Sequence, residues 1–135
     1  MKSFFILTIL AGSLTVFTAC KKDKSTDDST EHEDHPTAVI TVTSPNENDT
    51  IQGNFSVTGN IVGTGNLHGY QVTVTNAIND SIVYQHDIDD HVANFTINQA
   101  VTHTYTVYTP LKLEVVAALD HEGHTATKTV HFVVH

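Results

Sequence analysis

The sequence predicts an all-β domain built as two antiparallel sheets packed face to face. Three observations carry this. Apolar and polar residues alternate with a period of two in run after run between residue 37 and the end of the chain. Clusters of Pro, Gly, Asn and Asp separate the runs at sandwich-like spacing. No stretch of this region carries a helical period, and its runs are rich in valine and threonine, as half-buried pleated surfaces favour.

The elements follow in order. Ala38, Ile40 and Val42 alternate with Val39, Thr41 and Thr43 in a first strand, and the cluster at residues 44–49 turns the chain. Phe55, Val57, Gly59 and Ile61 alternate with Ser56, Thr58 and Asn60 in a second, broken at residues 63–66. Tyr70, Val72 and Val74 face away from Gln71, Thr73 and Thr75 in a third, with a turn at residues 76–80 and its tip at Asn79-Asp80. Ile82 and Tyr84 mark a short fourth strand, residues 87–90 a loop, and residues 92–97 a fifth strand. Residues 98–110 read as a longer connection ended by Pro110. Leu111, Leu113, Val115, Ala117 and Leu119 share one face of a sixth strand, and residues 120–123 turn it. Ala126, Val130, Phe132 and Val134 share the inner face of a seventh, opposite Thr125, Thr127, Thr129 and His131. Each strand needs a second apolar layer over its inner face, so the prediction is a seven-stranded immunoglobulin-like antiparallel sandwich. The disulfide and tryptophan of antibody domains are absent, since the chain has one cysteine and no tryptophan. Tyr70 and Tyr84 follow the core phase and read as packing residues.

The first twenty residues are of another kind. Met1-Lys2 is a basic start, residues 4–17 are apolar apart from Ser, Thr and Gly, and Thr18-Ala19 precede Cys20. The apolar run is too short for a comfortable membrane span. The stretch resembles the bacterial lipoprotein signal with its lipobox, departing from it at Phe17, where leucine is usual. That resemblance implies cleavage before Cys20 and lipidation of its thiol, which anchors the chain to a membrane without spanning it. It implies a signal peptide over residues 1–19, a lipidated cysteine and charged, disordered tether over residues 20–36, and one domain over residues 37–135. The tether is expected because this segment has too few apolar residues to bury. Its early charged residues also resemble the surface-export signal of some Gram-negative lipoproteins. The expected place is therefore the outer membrane or the cell surface, with the periplasmic face as the alternative.

Charge narrows the functional classes. Six lysines and no arginine stand against fifteen carboxylates, for a net charge of −9. Without a basic patch no nucleic-acid partner is expected. Catalysis has little support: Ser44, Ser56 and Ser81 lack nucleophile-elbow context, Gly63-Thr64-Gly65 opens no helix, and His121-Glu122-Gly123-His124 has the wrong spacing for a zinc-protease helix. The chain is read as a non-enzyme.

A wider resemblance rests on two segments. Thr43-Ser44-Pro45-Asn46 followed by Gly53 and a strand is similar to the opening of bacterial Ig-like domains. Residues 116–125, Val-Ala-Ala-Leu-Asp-His-Glu-Gly-His-Thr, resemble their last hairpin, with His124 where asparagine is usual. The resemblance spans residues 37–134 and implies architecture rather than activity.

Ten histidines in a chain without arginine are the remaining signal. Strands alternate in direction, so the loops after the second, fourth and sixth strands, with the start of the first, share one end. That gathers His68, His86, His91, His121 and His124, with His32 and His35, beside Asp87, Asp89, Asp90, Asp120 and Glu122. His103 and His135 fall at the other end, and His131 within a strand. Imidazole and carboxylate are the donors that zinc and copper take when thiolate is missing. The candidate metal ligands are His68, His91, His121 and His124, with Asp120 and Asp87 assisting, and the ion expected is Zn or Cu. The periplasmic copper-resistance β-sandwich proteins are similar in size, in a His-Pro near the first strand (His35-Pro36) and in an acid-Gly-His in the last hairpin (Glu122-Gly123-His124). Their ligands include a free N-terminal amine, which a lipidated and tethered start would remove. Asp87, Asp89 and Asp90 lack the EF-hand pattern and read as a solvated acidic loop. The expected function is a lipid-anchored binding or interaction module that holds a transition metal. An adhesion or protein-partner module without metal is the alternative, as is a pH-responsive module working through histidine titration.

Overall fold

The computed structural model describes residues 35–135 of the chain. The expectations for the signal peptide, for Cys20 and for most of the tether lie outside the described residues. Eight strands form two sheets: β1 (Ala38–Ser44), β2 (Thr50–Ile51), β3 (Phe55–Gly63), β4 (Tyr70–Asn76), β5 (Ile82–Ile88), β6 (Asn94–Val101), β7 (Thr109–Ala118) and β8 (Thr125–Val134). One sheet has the order β1-β3-β6 and the other β2-β8-β7-β4-β5. This is the all-β, immunoglobulin-like sandwich expected from the alternation.

The predicted inner faces are the buried ones. Phe55, Val57 and Ile61 of β3 and Phe95, Ile97 and Val101 of β6 meet Val72, Val74, Leu111, Leu113, Val115, Val130, Phe132 and Val134 of the other sheet. Tyr70 packs edge-on against Phe95 at 5.1 Å between ring centres. The Tyr84 hydroxyl donates to Gln99 Oε1 at 2.9 Å. Both tyrosines are therefore packing residues.

Four boundaries depart from the expectation. The strand β2 is an eighth element, and it pairs parallel with β8 through Thr50–Val133 and Ile51–Val134, so the sandwich is not wholly antiparallel. The fourth predicted strand runs on to Ile88, taking His86 and Asp87 out of the expected loop, and it pairs with β4 at the edge of the larger sheet. Asn94, not residue 92, begins β6, which continues through Val101 into the predicted connection. Pro110 lies inside β7 rather than before it. The tip at Asn79-Asp80 is as predicted: Asp80 has φ 57°, and Asn79 Oδ1 accepts from the Ser81 amide at 3.1 Å.

One end of the sandwich carries the loops after β3, β5 and β7 and the residues before β1. Backbone hydrogen bonds tie these together. Leu67 N–H donates to the Val92 carbonyl at 3.0 Å, Gly63 N–H to Ala93 at 2.7 Å, and His68 N–H to Ala118 at 2.8 Å. Ala118 N–H returns a bond to Gly69 at 3.0 Å. Leu67 itself is fully buried. The loops at this end are thus held by the core beneath them.

Candidate functional site

That end holds two clusters of metal-ligating side chains. The first is organised by Asp120. Its Oδ1 accepts from the Glu122 amide at 2.9 Å and the His124 amide at 3.1 Å, closing the loop after β7. The Leu119 amide adds a bond to the His124 carbonyl at 2.9 Å. This leaves Oδ2 to the imidazoles: His124 Nδ1 lies 2.7 Å away and His35 Nδ1 3.2 Å. Glu122 Oε2 lies 3.4 Å from His35 Nδ1 and 3.9 Å from His124 Nδ1. One donor atom from each of His35, Asp120, Glu122 and His124 lies within 4.8 Å of every other.

Partial burial works against the Asp120 charge. The bonds from the His124 amide and imidazole and from the Glu122 amide outweigh it and bring its pKa to about 2. The carboxylate is therefore ionised at any neutral pH and available as a ligand.

The second cluster is three imidazoles from three loops. The His68 ring centre lies 3.8 Å from that of His121 and 4.3 Å from that of His91, and His91 and His121 are 5.8 Å apart. The rings meet edge-on or tilted, at 54° to 75°. Partial burial, then the neighbouring His121 and His91, push the His68 pKa below the ordinary histidine value, against the pull of Asp120 and Asp89. Asp89 Oδ1 stands 4.0 Å from His91 Nε2.

The six candidate ligands thus divide. His68, His91 and His121 come together; His124 and Asp120 come together elsewhere, with His35 and Glu122. Asp87 joins neither set. It sits on β5, where its carboxylate accepts from the Gln71 and Gln85 side-chain amides. It lines a shallow groove of about 290 Å³ that runs from His68 past Tyr70 and Ile88. His86 lies beside Tyr84 on the same strand, with ring centres 6.5 Å apart. His35 and Glu122 were not among the candidate ligands, although His35-Pro36 and Glu122-Gly123-His124 were visible motifs.

The other described histidines have local partners. His131 is exposed on β8, with Nδ1 3.4 Å from Glu47 Oε1 and its amide bonded to Glu47 Oε2 at 2.8 Å. His103 Nε2 donates to the Gly53 carbonyl at 2.7 Å. His135 lies against Tyr108 with ring centres 4.5 Å apart.

No family model matches the chain, and no curated protein is detectably similar to it. Among solved structures, one of murine CRIg is similar in fold, with 12% sequence identity and a TM-score of 0.40 over 74% of this chain and 96% of that one. A likeness at that level carries nothing about function.

Proposed function

We propose that this chain is a non-catalytic binding module, held at a membrane surface through Cys20, whose loop end captures a divalent transition metal with His35, Asp120, Glu122 and His124. One observation carries the reading, the spacing of the donor atoms. A tetrahedral zinc site with bonds of about 2.0–2.1 Å has donors roughly 3.3 Å apart. The contacts here, at 2.7, 3.2, 3.4 and 3.9 Å, straddle that value. An ion placed among them replaces the proton that Asp120 and His124 share and supplies the positive charge that two carboxylates call for. Two nitrogens and two carboxylate oxygens suit zinc or copper, with copper(II) bound more tightly by the general affinity order. The ordinary work of an Asp in a turn falls to Oδ1, while Oδ2 faces the imidazoles of His124 and His35.

The test is calorimetric titration of the full chain with Zn(II) and Cu(II) at neutral pH. Binding at micromolar concentration is expected, weakened at least 100-fold by Asp120→Asn combined with His124→Ala. No heat and no mass change at micromolar metal overturns the proposal.

A further inference from the structure

A sheet edge is a row of unpaired backbone N–H and C=O groups, and a fold that keeps its copies apart blunts it. The other edges of this sandwich are blunted. β1 is bulged between Val42 and Ser44 and runs into Pro45. β5 leaves Val83 out of its register with β4 and carries Asp87. On the far side of the larger sheet, β2 is two residues long, and Lys128 of β8 stands exposed in the phase of the core residues, opposite Val115. The edge strand of the smaller sheet, β6, has none of these devices. Its eight residues, Asn94–Val101, include no charge and no proline, and they pair with β3 without a break in register. Among the described residues, no other strand pairs with β6. Register also fixes which of its groups point outward. Gly63 N–H donates to the Ala93 carbonyl at 2.7 Å, which makes residues 63 and 93 a bonded pair, one step beyond the partners Val62 and Asn94. Bonded and non-bonded pairs alternate along an antiparallel ladder. Phe95, Ile97, Gln99 and Val101 therefore bond to β3, and the backbone groups of Asn94, Thr96, Asn98 and Ala100 point off the sheet. The side chains of these four are exposed.

We propose that β6 is the surface through which two copies of this chain pair, antiparallel and edge to edge, joining their three-stranded sheets into one of six strands. The strand is complementary to itself, as a two-fold interface requires. With the axis at Ile97, Asn94 faces Ala100 of the second copy and Thr96 faces its Asn98. All four outward residues thus meet outward residues, and no bulge is needed. Charge favours this occupant and this direction. Asp89 and Asp90 lie just before β6, whereas residues 102–109 after it hold no carboxylate. Antiparallel pairing sets the acidic end of each strand against the neutral end of the other, and parallel pairing would set acid against acid. The net charge of −9 repels copies elsewhere on the surface, but within β6 there is no charge to repel. A ribbon of this length buries less than the roughly 1,600 Å² of a standard interface, so the pair is reversible, with a dissociation constant on the order of 100 µM. This pairing does not depend on metal at the loop end.

Sedimentation velocity of the full chain, from micromolar to millimolar concentration and with EDTA present, tests the pairing. Wild type is expected to pass from monomer to dimer over that range. Thr96→Lys/Asn98→Lys sets lysine opposite lysine twice in the centred register and should weaken the dimer about tenfold. The same change lowers the net charge, so a weakening reports the contact and not long-range repulsion. Thr96→Lys/Asn98→Glu sets lysine opposite glutamate in the same two places and should dimerise at least as well as wild type. Asn98→Pro removes an N–H that points away from β3 and should leave the chain monomeric. Far-ultraviolet circular dichroism checks that each variant is folded, and if Asn98→Pro is not, the two lysine variants decide. A wild type that stays monomeric to millimolar concentration overturns the inference, even if the edge takes up an added extended peptide. So does a dimer that Thr96→Lys/Asn98→Lys and Thr96→Lys/Asn98→Glu leave equally strong, since its contact then lies elsewhere.

Discussion

Replacing Gly69 by alanine tests how the fold holds the histidine end in place. Gly69 has φ +114°, a region that residues with a side chain rarely enter. A Cβ built there falls on the carbonyl oxygen of Ile88, well inside contact, and 3.1 Å from Asp89 Cα. The backbone cannot simply step aside, because the Gly69 carbonyl accepts from Ala118 at 3.0 Å on the opposite flank. The torsional part costs about 1–3 kcal/mol. Giving up the Ala118 bond to relieve the overlap costs about 1–2 kcal/mol more. A total of roughly 2–5 kcal/mol lowers the melting temperature of a domain of about 100 residues by about 8 °C or more. Gly53 supplies the control, since its φ is +73° and a Cβ there meets nothing within 4 Å. Gly53→Ala isolates the torsional cost, about 1 kcal/mol. Urea denaturation of both variants measures the difference. A Gly69→Ala loss within 1 kcal/mol of the Gly53→Ala loss refutes the claim that β4 is clamped between β5 and β7 at this point.

Four other outcomes are expected. Burial, and then Tyr70, raise the Tyr84 pKa above the ordinary tyrosine value; a raised folded value means stability that is complete below the unfolded pKa of about 10 and is lost as pH climbs past it. Absorbance at 295 nm should show one tyrosine ionising later than the rest, and Tyr84→Phe should remove that late step. Metal at 100 times its dissociation constant should stabilise the chain by about 2.7 kcal/mol, seen as a raised melting temperature that EDTA abolishes; unchanged melting speaks against native-state binding. Cys20→Ser should abolish incorporation of labelled fatty acid and release the chain from the membrane fraction, and retained label would remove the lipid anchor from the proposal. His124→Ala should weaken zinc binding about tenfold more than His35→Ala, because the same carboxylate holds both the amide and the imidazole of His124, the latter at 2.7 Å, while it meets His35 through the imidazole alone at 3.2 Å; equal losses would contradict that difference.

The inner faces were legible because burial acts on them in a period of two, and Val57, Val72, Leu113 and Phe132 report it without ambiguity. What the pattern missed are places where burial is not the organising force. The two residues of β2 are held by backbone bonds to the end of β8, with Gly53 N–H donating to the His135 carbonyl at 2.9 Å, and so small an element has no period to read. The polar end of β5, Gln85-His86-Asp87, looks like loop because the strand is an edge and much of it faces water. Asn98 and Gln99 hid the end of β6 in the same way, although Gln99 is needed to accept from Tyr84. The common location of the histidines followed from strand direction alone. Their partition did not, because it depends on how one loop is folded.

That loop divides the donors. Asp120-His121-Glu122-Gly123-His124 is short enough to be one hydrogen-bonded turn, with both amide bonds to Asp120 Oδ1 fixing Glu122 and His124. Gly123, at φ +95°, lets the chain reverse so that His124 comes back beside Asp120 Oδ2. His121 lies between Asp120 and Glu122, makes neither of these bonds, and packs instead on His68. A loop of this form therefore cannot give both histidines to one ion without breaking the bonds that shape it. The first set also draws on His35, two residues before Thr37, whose amide is pinned to Thr64 Oγ1 at 2.9 Å. Occupying that set would fasten the start of the domain to its last hairpin. The cluster of His68, His91 and His121 draws only on loops that the core already holds. Of the two, the first should respond to whatever pulls on the chain before residue 35, and the second should not.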